Sequence, residues 1–198
     1  MKTIITISRE YGAGGTSIGK RVAQELGIEL YDRDIIRNTV LQTGLDAGVI
    51  EHEEEEISRG DAFLRMITPA AYFDRREAIR EIERDVILGF AKQGPCVLLG
   101  RCADLILEAA DIDCLKVFLY GDVLHRAKRV GEIIGSSDPT EIQKAMKKTD
   151  HARRAYYQQF TGRKWGDCAN YNLMLDTGVL GYDASAKLIC EAARSLEK

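Results

Sequence analysis

The stretch from Thr3 to Gly27 constrains most strongly what this chain can fold into. It enters as a strand-like apolar run, TIITIS at 3–8, and crosses Arg9 and a cluster of glycines at 12, 14 and 15. It leaves as a helix-periodic run in which Ile18, Val22 and Leu26 recur every fourth residue until Gly27 stops it. A strand that turns into a helix in this way lays the helix back on its own sheet, so that the following strand runs parallel to the first. The same alternation continues. Further buried strands are expected at 28–31 (IELY), 96–100 (CVLLG), 114–120 (CLKVFLY) and 171–177 (YNLMLDT). A helix over 76–93, with Ile79, Ile82, Val86 and Phe90 on its core face, is closed by Gly94 and Pro95. The expected fold class is α/β, a parallel sheet with helices on both faces.

At 198 residues the chain makes one domain with room for a sizeable core. Its 28 Lys and Arg against 31 Asp and Glu give a net charge of −3. That balance provides no bulk cationic field to collect nucleic acid or an anionic membrane, so any anion must be held by a local cluster. The five cysteines show no paired spacing, and Cys96 and Cys114 fall in expected strands. His52, His125 and His151 share no ligand spacing with them, so reduced core thiols are expected and no structural zinc. No apolar run approaches the roughly 18 residues of a membrane span, and the N-terminus enters a strand without a secretory pattern, so a cytoplasmic location is expected. Two polar regions interrupt the alternation. The first, over 44–75, reads as a helical insert whose acidic run EHEEEE at 51–56 is a solvated helix face; the second spans about 121–170 and is rich in Arg, Lys and Tyr.

A phosphate-binding loop needs glycines that let backbone N–H groups converge, a helix N-terminus with its positive dipole end, and a hydroxyl for a metal ion. Gly12, Ala13, Gly14, Gly15 and Thr16 or Ser17 supply these. The lysine that reaches the outer phosphates in such loops is missing, since Gly15 stands in its place. Arg9, which opens the loop, is the first candidate to replace it; Lys20 ranks lower because it falls on the solvent side of the helix. A tight strand-to-helix turn with no ligand is the bland alternative for this segment alone. Arg101, however, follows a buried strand at the end where open α/β sheets bind their ligands. Two later clusters add Arg126 and Arg129, then Lys147, Lys148, Arg153 and Arg154, with Asp150 spaced to orient Arg153 or Arg154 on a helix.

These segments in this order (ITISREYGAGG, LYDRDII, CVLLGRCAD, KVFLYGDVLHRAKR, KKTDHARRAYYQQFTGRKWGD and YNLMLDTGVLGYDASAKLI) span nearly the whole chain. Together they resemble the cytidylate kinase-like family of P-loop nucleoside monophosphate kinase relatives. The resemblance implies a three-layer P-loop fold with strand order 2-3-1-4-5. It implies that Arg9 to Ser17 hold the phosphates of ATP, that Thr16 or Ser17 ligates Mg²⁺, and that Asp32, Arg33 and Asp34 face the acceptor. Arg101 would bind the acceptor phosphate, and Arg126, Arg129, Arg153 and Arg154 would belong to a lid over 125–165. The region 38–75 corresponds to the acceptor-binding insert. This chain departs from cytidylate kinases at Gly15, at Leu99 before the strand-end Gly-Arg, and at Cys102 after it.

The expected activity is ATP- and Mg²⁺-dependent phosphoryl transfer to a nucleoside monophosphate, cytidylate-like, or another small acceptor. The arginines stabilise the charge of the transferred group, and no general base is needed because a phosphate acceptor is already an anion. The rival readings are a non-catalytic nucleotide-binding module on a kinase fold and an interaction protein that binds no nucleotide. The lid is expected to be held down by little burial, because few large aliphatics lie between Ser136 and Gly166.

Overall fold

The computed structural model describes residues 3–32, 34–36, 39 and 69–196, with residues 69–79 described as backbone only. Strands β1 (Ile4–Arg9), β2 (Glu29–Tyr31), β3 (Cys96–Leu99), β4 (Cys114–Tyr120) and β5 (Leu173–Asp176) form one parallel sheet in the order β2-β3-β1-β4-β5. All five strands and their order match expectation. The central strand β1 pairs with β3 on one side (Ile7 opposite Leu99) and with β4 on the other (Ile7 opposite Val117). The chain therefore changes direction across the sheet at β1, and the crevice beyond its C-terminal end is where such sheets place ligands.

Helices α1 (Gly15–Leu26), α2 (Pro69–Gln93), α3 (Ala103–Ala109), α4 (Val123–Ile134), α5 (Pro139–Thr161) and α6 (Thr177–Ser195) connect and follow the strands. Alternate residues of the central strands point to opposite faces, and both faces are covered, which is why these strands read as continuous apolar runs. On one face Ile5, Ile7, Val97, Leu99, Val117 and Leu119 pack with Ile18 and Val22 of α1 and Ile189, Cys190 and Ala193 of α6. On the other, Ile4, Cys96 and Leu98 pack with Ile87 of α2 and Ala103 and Leu107 of α3. The predicted stop at Gly27 is a left-handed C-cap with φ 65°.

Two expectations need adjustment. Helix α2 begins at Pro69, earlier than 76, and its buried edge is turned by one position from the expected face. Ile87 is fully buried while Ile82, Val86 and Phe90 are only partly so, and Glu83 lies one turn before Ile87 on the same side. Ile79 lies outside the described side chains, as does most of the expected insert at 38–75. The second adjustment concerns the polar region after β4. It is helical through α4 and α5, and it is anchored by more burial than its composition suggests. Tyr157 and Trp165 join Phe118, Tyr171 and Cys102 in a third core cluster, and Arg126, Val130 and Met146 are also buried. Aromatic side chains here supply the area that the missing aliphatics do not.

At the surface Glu108, at the end of α3, is gripped by Lys116 of β4 and by both terminal nitrogens of Arg163, at 2.7 and 3.2 Å, just beyond α5. Hydrogen bonds from Arg163 and then Lys116 draw its carboxyl down to about 2 from the usual 4.5. A carboxyl with a depressed folded-state pKa stabilises the fold above its unfolded pKa and loses that contribution as pH falls. Because the cluster is partly exposed and screened, we expect Glu108→Gln to cost only about 0.5–1 kcal/mol at neutral pH. The gap from wild type should close between pH 4.5 and about 2, as read by denaturant unfolding at a series of pH values.

Candidate active site

The loop between β1 and α1 is bent by two left-handed glycines, Gly12 at φ 86° and Gly14 at φ 78°. A Cβ at Gly12 would come within 2.5 Å of the Arg126 carbonyl oxygen, so glycine is required there by both conformation and space. The Glu10 N–H donates to Leu119 O (2.9 Å) and the Ala13 N–H to Glu10 O (3.2 Å), which curls the loop over the ends of β1 and β4.

Side chains from α4 and α5 hold the loop from outside. Asp150 accepts from the Tyr11 N–H at 2.7 Å and from Arg126 Nη1 at 2.6 Å, and Arg126 Nη1 also donates to Tyr11 O at 3.2 Å. Arg126 Nε lies 3.3 Å from Glu10 Oε2, which itself accepts from the Gly121 N–H. Burial raises the pKa of Glu10, with Arg126 opposing the shift. Arg153 Nη1 donates to Arg9 O at 2.9 Å. Asp150, whose spacing pointed to Arg153 or Arg154, serves the loop and Arg126 in these contacts.

The N-terminus of α1 differs from those of α4, α5 and α6. The latter are capped by the carboxylates of Asp122, Asp138 and Asp176, whereas Gly14 caps α1 with no side-chain hydrogen bond and no acidic residue lies in its first turn. The positive end of this dipole is left to an anion. Thr16 is exposed and Ser17 half-buried at that end. Phosphates therefore fit the loop. A Mg²⁺ ion fits as well, because it commonly takes one protein oxygen, here a Thr16 or Ser17 hydroxyl, and fills its shell with phosphate and water. No group of three His, Cys, Asp or Glu side chains suited to a metal occurs among the described residues.

Beside the loop, a cavity of about 190 Å³ opens between the C-terminal ends of β1 and β3 and the inner face of α5. Arg9, Arg101, Lys148 and Arg153 line it, with Tyr156 and Trp165 as apolar walls. One of these four cations, Arg101, is paired with a carboxylate that sequence reasoning missed. Glu83, 3% exposed, pairs with Arg101 at 3.1 Å and accepts from the Tyr156 hydroxyl at 2.8 Å. Its only sequence signal is its place four residues before Ile87 and seven before Phe90. Arg101 and Cys102 have φ of 57° and 51°, so the turn after β3 holds two non-glycine residues in a conformation that the surrounding structure must enforce. Burial pushes the Cys102 thiol well above its usual pKa.

The candidates thus separate. Arg9, Arg101 and Arg153 meet at the cavity, whereas Gly12, Ala13, Gly14, Gly15, Thr16 and Ser17 are not among its lining residues, and the loop meets it through the Arg9 stem, which runs over Gly15. Arg126 is enclosed by Glu10 and Asp150, Arg129 pairs with Glu132 at 2.7 Å in a largely exposed contact, and Arg154 lies 5.9 Å over the Trp165 ring. Asp32 caps the turn after β2 by accepting from the N–H groups of Asp34 and Ile35, both at 3.1 Å. Asp34 is exposed, and Arg33 lies outside the described residues.

A parallel sheet in this order with a glycine loop at the central strand defines the class of P-loop kinase folds. The crystal structure of an uncharacterized protein from Eubacterium ventriosum aligns with a TM-score of 0.75 at 24% identity, covering 98% of this chain and 99% of that one. The shikimate kinase of Bacteroides thetaiotaomicron aligns with a TM-score of 0.56 at 16% identity, covering 97% and 98%. Within that class the chain belongs to the cytidylate kinase-like family, whose model matches residues 4–179. It is 26% identical over 177 residues to a protein of Pyrococcus horikoshii named cytidylate kinase, covering 89% of this chain and 80% of the other. Phosphoryl transfer is the general chemistry to which this membership points.

Glu83→Ala deprives Arg101 of its buried carboxylate and Tyr156 of its acceptor. We expect a loss of roughly 3–5 kcal/mol in denaturant unfolding. Glu83→Gln, which keeps an acceptor for Tyr156, should lose distinctly less.

Proposed function

We propose that this protein transfers a phosphoryl group from ATP, with Mg²⁺, to a nucleoside monophosphate, cytidylate-like, or another small anionic acceptor. The observation that carries the proposal is the cluster of Arg9, Arg101, Lys148 and Arg153 around one cleft beside the uncapped N-terminus of α1. Backbone N–H groups from Gly12 to Ser17 would receive the donor phosphates, and the Thr16 or Ser17 hydroxyl would hold the metal. Bound there, Mg²⁺ would neutralise charge on the donor phosphates.

The chain's own contribution is placement and charge. Arg101, paired with Glu83, receives the acceptor's anionic group, and Asp32, Asp34 and, by the resemblance, Arg33 recognise the rest of the acceptor. Arg153 donates to the Arg9 carbonyl and, in this reading, serves both the donor and the acceptor phosphates. An acceptor phosphate oxygen attacks the terminal phosphorus in line, the bond to the bridging oxygen of ADP breaks, and no proton has to be removed first. Tyr156, Tyr157 and Trp165 exclude water from the acceptor side of the cleft. Arg126 acts by holding the loop, while Arg129 and Arg154, carried on α4 and α5, are the cations that a movement of these helices as a lid would bring nearer.

The test is a coupled ATP-consumption assay across nucleoside monophosphates and small anionic metabolites. We expect turnover with at least one acceptor. Arg153→Ala should lower that turnover on the order of 10³-fold, since a positioned arginine in phosphoryl transfer carries about that much, with the circular-dichroism melting curve shifted by only a few degrees. Tight ATP binding without turnover on any acceptor would leave a nucleotide-binding module and defeat the proposal.

A further inference from the structure

The glycine at 15 and the arginine at 9 are one feature. A Cβ built at Gly15 would lie 2.7 Å from Arg9 Cγ and 3.2 Å from its Cδ, so the arginine's stem runs directly over the first residue of α1. Its far end then crosses toward β3, where Nη1 lies against the α-carbon of Gly100, and a Cβ there would collide with that nitrogen. Two glycines from different elements thus form a track for this one side chain. Gly100 also has a φ of 85°, which fits glycine for a second reason. The guanidinium is delivered to the cavity that Arg101 and Arg153 also line.

We infer that Arg9, entering from the strand side over Gly15, is the cation that acts on the transferred phosphoryl group, and that Gly15 is glycine to let it pass. The inference rests on the phosphoryl-transfer reading and gives that site's missing charge an address. A lysine at position 15 would bring a point charge from the helix onto the donor phosphates. The arginine instead lays a planar fork across the gap between β1 and β3, where donor and acceptor sites meet. A fork can hold two oxygens of the group in transit. The carbonyl of the same residue accepts from Arg153, so the Arg153 guanidinium is tied to the backbone from which the Arg9 side chain sets out.

The experiment compares wild type with Arg9→Ala, Arg9→Lys, Gly15→Lys and the double variant Arg9→Ala/Gly15→Lys. Two readings are taken: calorimetric affinity for Mg·ADP and for a non-hydrolysable ATP analogue, and the thermal midpoint without nucleotide. Loss of one charge-assisted contact predicts a fall in analogue affinity on the order of 10- to 100-fold for Arg9→Ala, with a smaller change for Mg·ADP, which lacks the terminal group. Arg9→Lys should fail to restore it. Gly15→Lys should lower the thermal midpoint by colliding with the arginine stem, and the double variant should recover the midpoint and part of the analogue affinity. Arg9→Ala binding the analogue as tightly as wild type, or Gly15→Lys melting with wild type, overturns the inference while leaving the phosphoryl-transfer reading intact. A wild-type protein that binds neither nucleotide defeats that reading, and the inference with it, even if the melting shifts appear as described.

Discussion

Arg126 sits in a socket made by two carboxylates and a loop carbonyl, and the site depends on that socket. Its guanidinium reaches Asp150, Glu10 and Tyr11 O, its own backbone fills the space that a Cβ at Gly12 would need, and it is 8% exposed. A buried arginine is costly to desolvate and holds its place only where opposite charges and acceptors surround it. Here the partners come from the loop and from α5, while the arginine comes from α4. The charge that must be satisfied forces three otherwise separate segments into one arrangement. The Tyr11 N–H, which donates to Asp150, completes the knot. Removing any member would leave another buried and unpartnered, so the loop's curvature and the seating of the two helices rise and fall together.

That knot decides what the cleft can be. Arg126 faces this knot, and the cations that line the cleft are Arg9, Arg101, Lys148 and Arg153, which approach from β1, from the turn after β3 and from one face of α5. Each is steered by neighbours: Arg101 by Glu83, Arg153 by the Arg9 carbonyl, and Arg9 by the bare α-carbons of Gly15 and Gly100. Oriented cations in a cleft walled by aromatic rings stabilise developing negative charge without reorganising when it appears. The base of α5 is fixed by Tyr157 and Trp165 in the aromatic cluster and by Arg163 on Glu108, so its inner face is presented on a firm footing.

Much of this was readable in the sequence, and what was not has physical causes. The parallel sheet and its strand positions followed from apolar runs long enough to be buried on both faces, because that requirement acts locally, whereas the strand order followed from the family resemblance. The loop was visible since left-handed turns demand glycine at fixed places, here Gly12 and Gly14. Which arginine does what was not visible. Arg126, Arg129, Arg153 and Arg154 look alike as letters, yet one is enclosed by carboxylates, one pairs near solvent, one binds a loop carbonyl and one lies on an indole ring. These fates depend on partners 24 to 144 residues away for the first and third. Glu83 was missed because a charged residue on an apolar helix face reads as solvated until the arginine that buries it, contributed by the turn after β3, is known. The turn itself, Arg101 and Cys102 with positive φ, carries no composition signal at all.

The missing lysine shows how such non-local partnerships can change a motif without erasing it. A phosphate loop needs backbone donors, a helix dipole and a positive charge, but only the first two are fixed to the loop's own residues. The charge needs only to arrive at the right point in space. A strand-end arginine can reach that point if the helix's first residue has no side chain, and here it has none. The exchange brings the charge from β1 across Gly15 toward Gly100, and replaces a point charge by a two-pronged one. On the proposed reading, an arginine arriving this way would hold the terminal phosphoryl group of the donor as well as the group in transit. This is the stage at which a kinase gains rate and not merely affinity, because only interactions stronger in the transition state than in the ground state accelerate transfer.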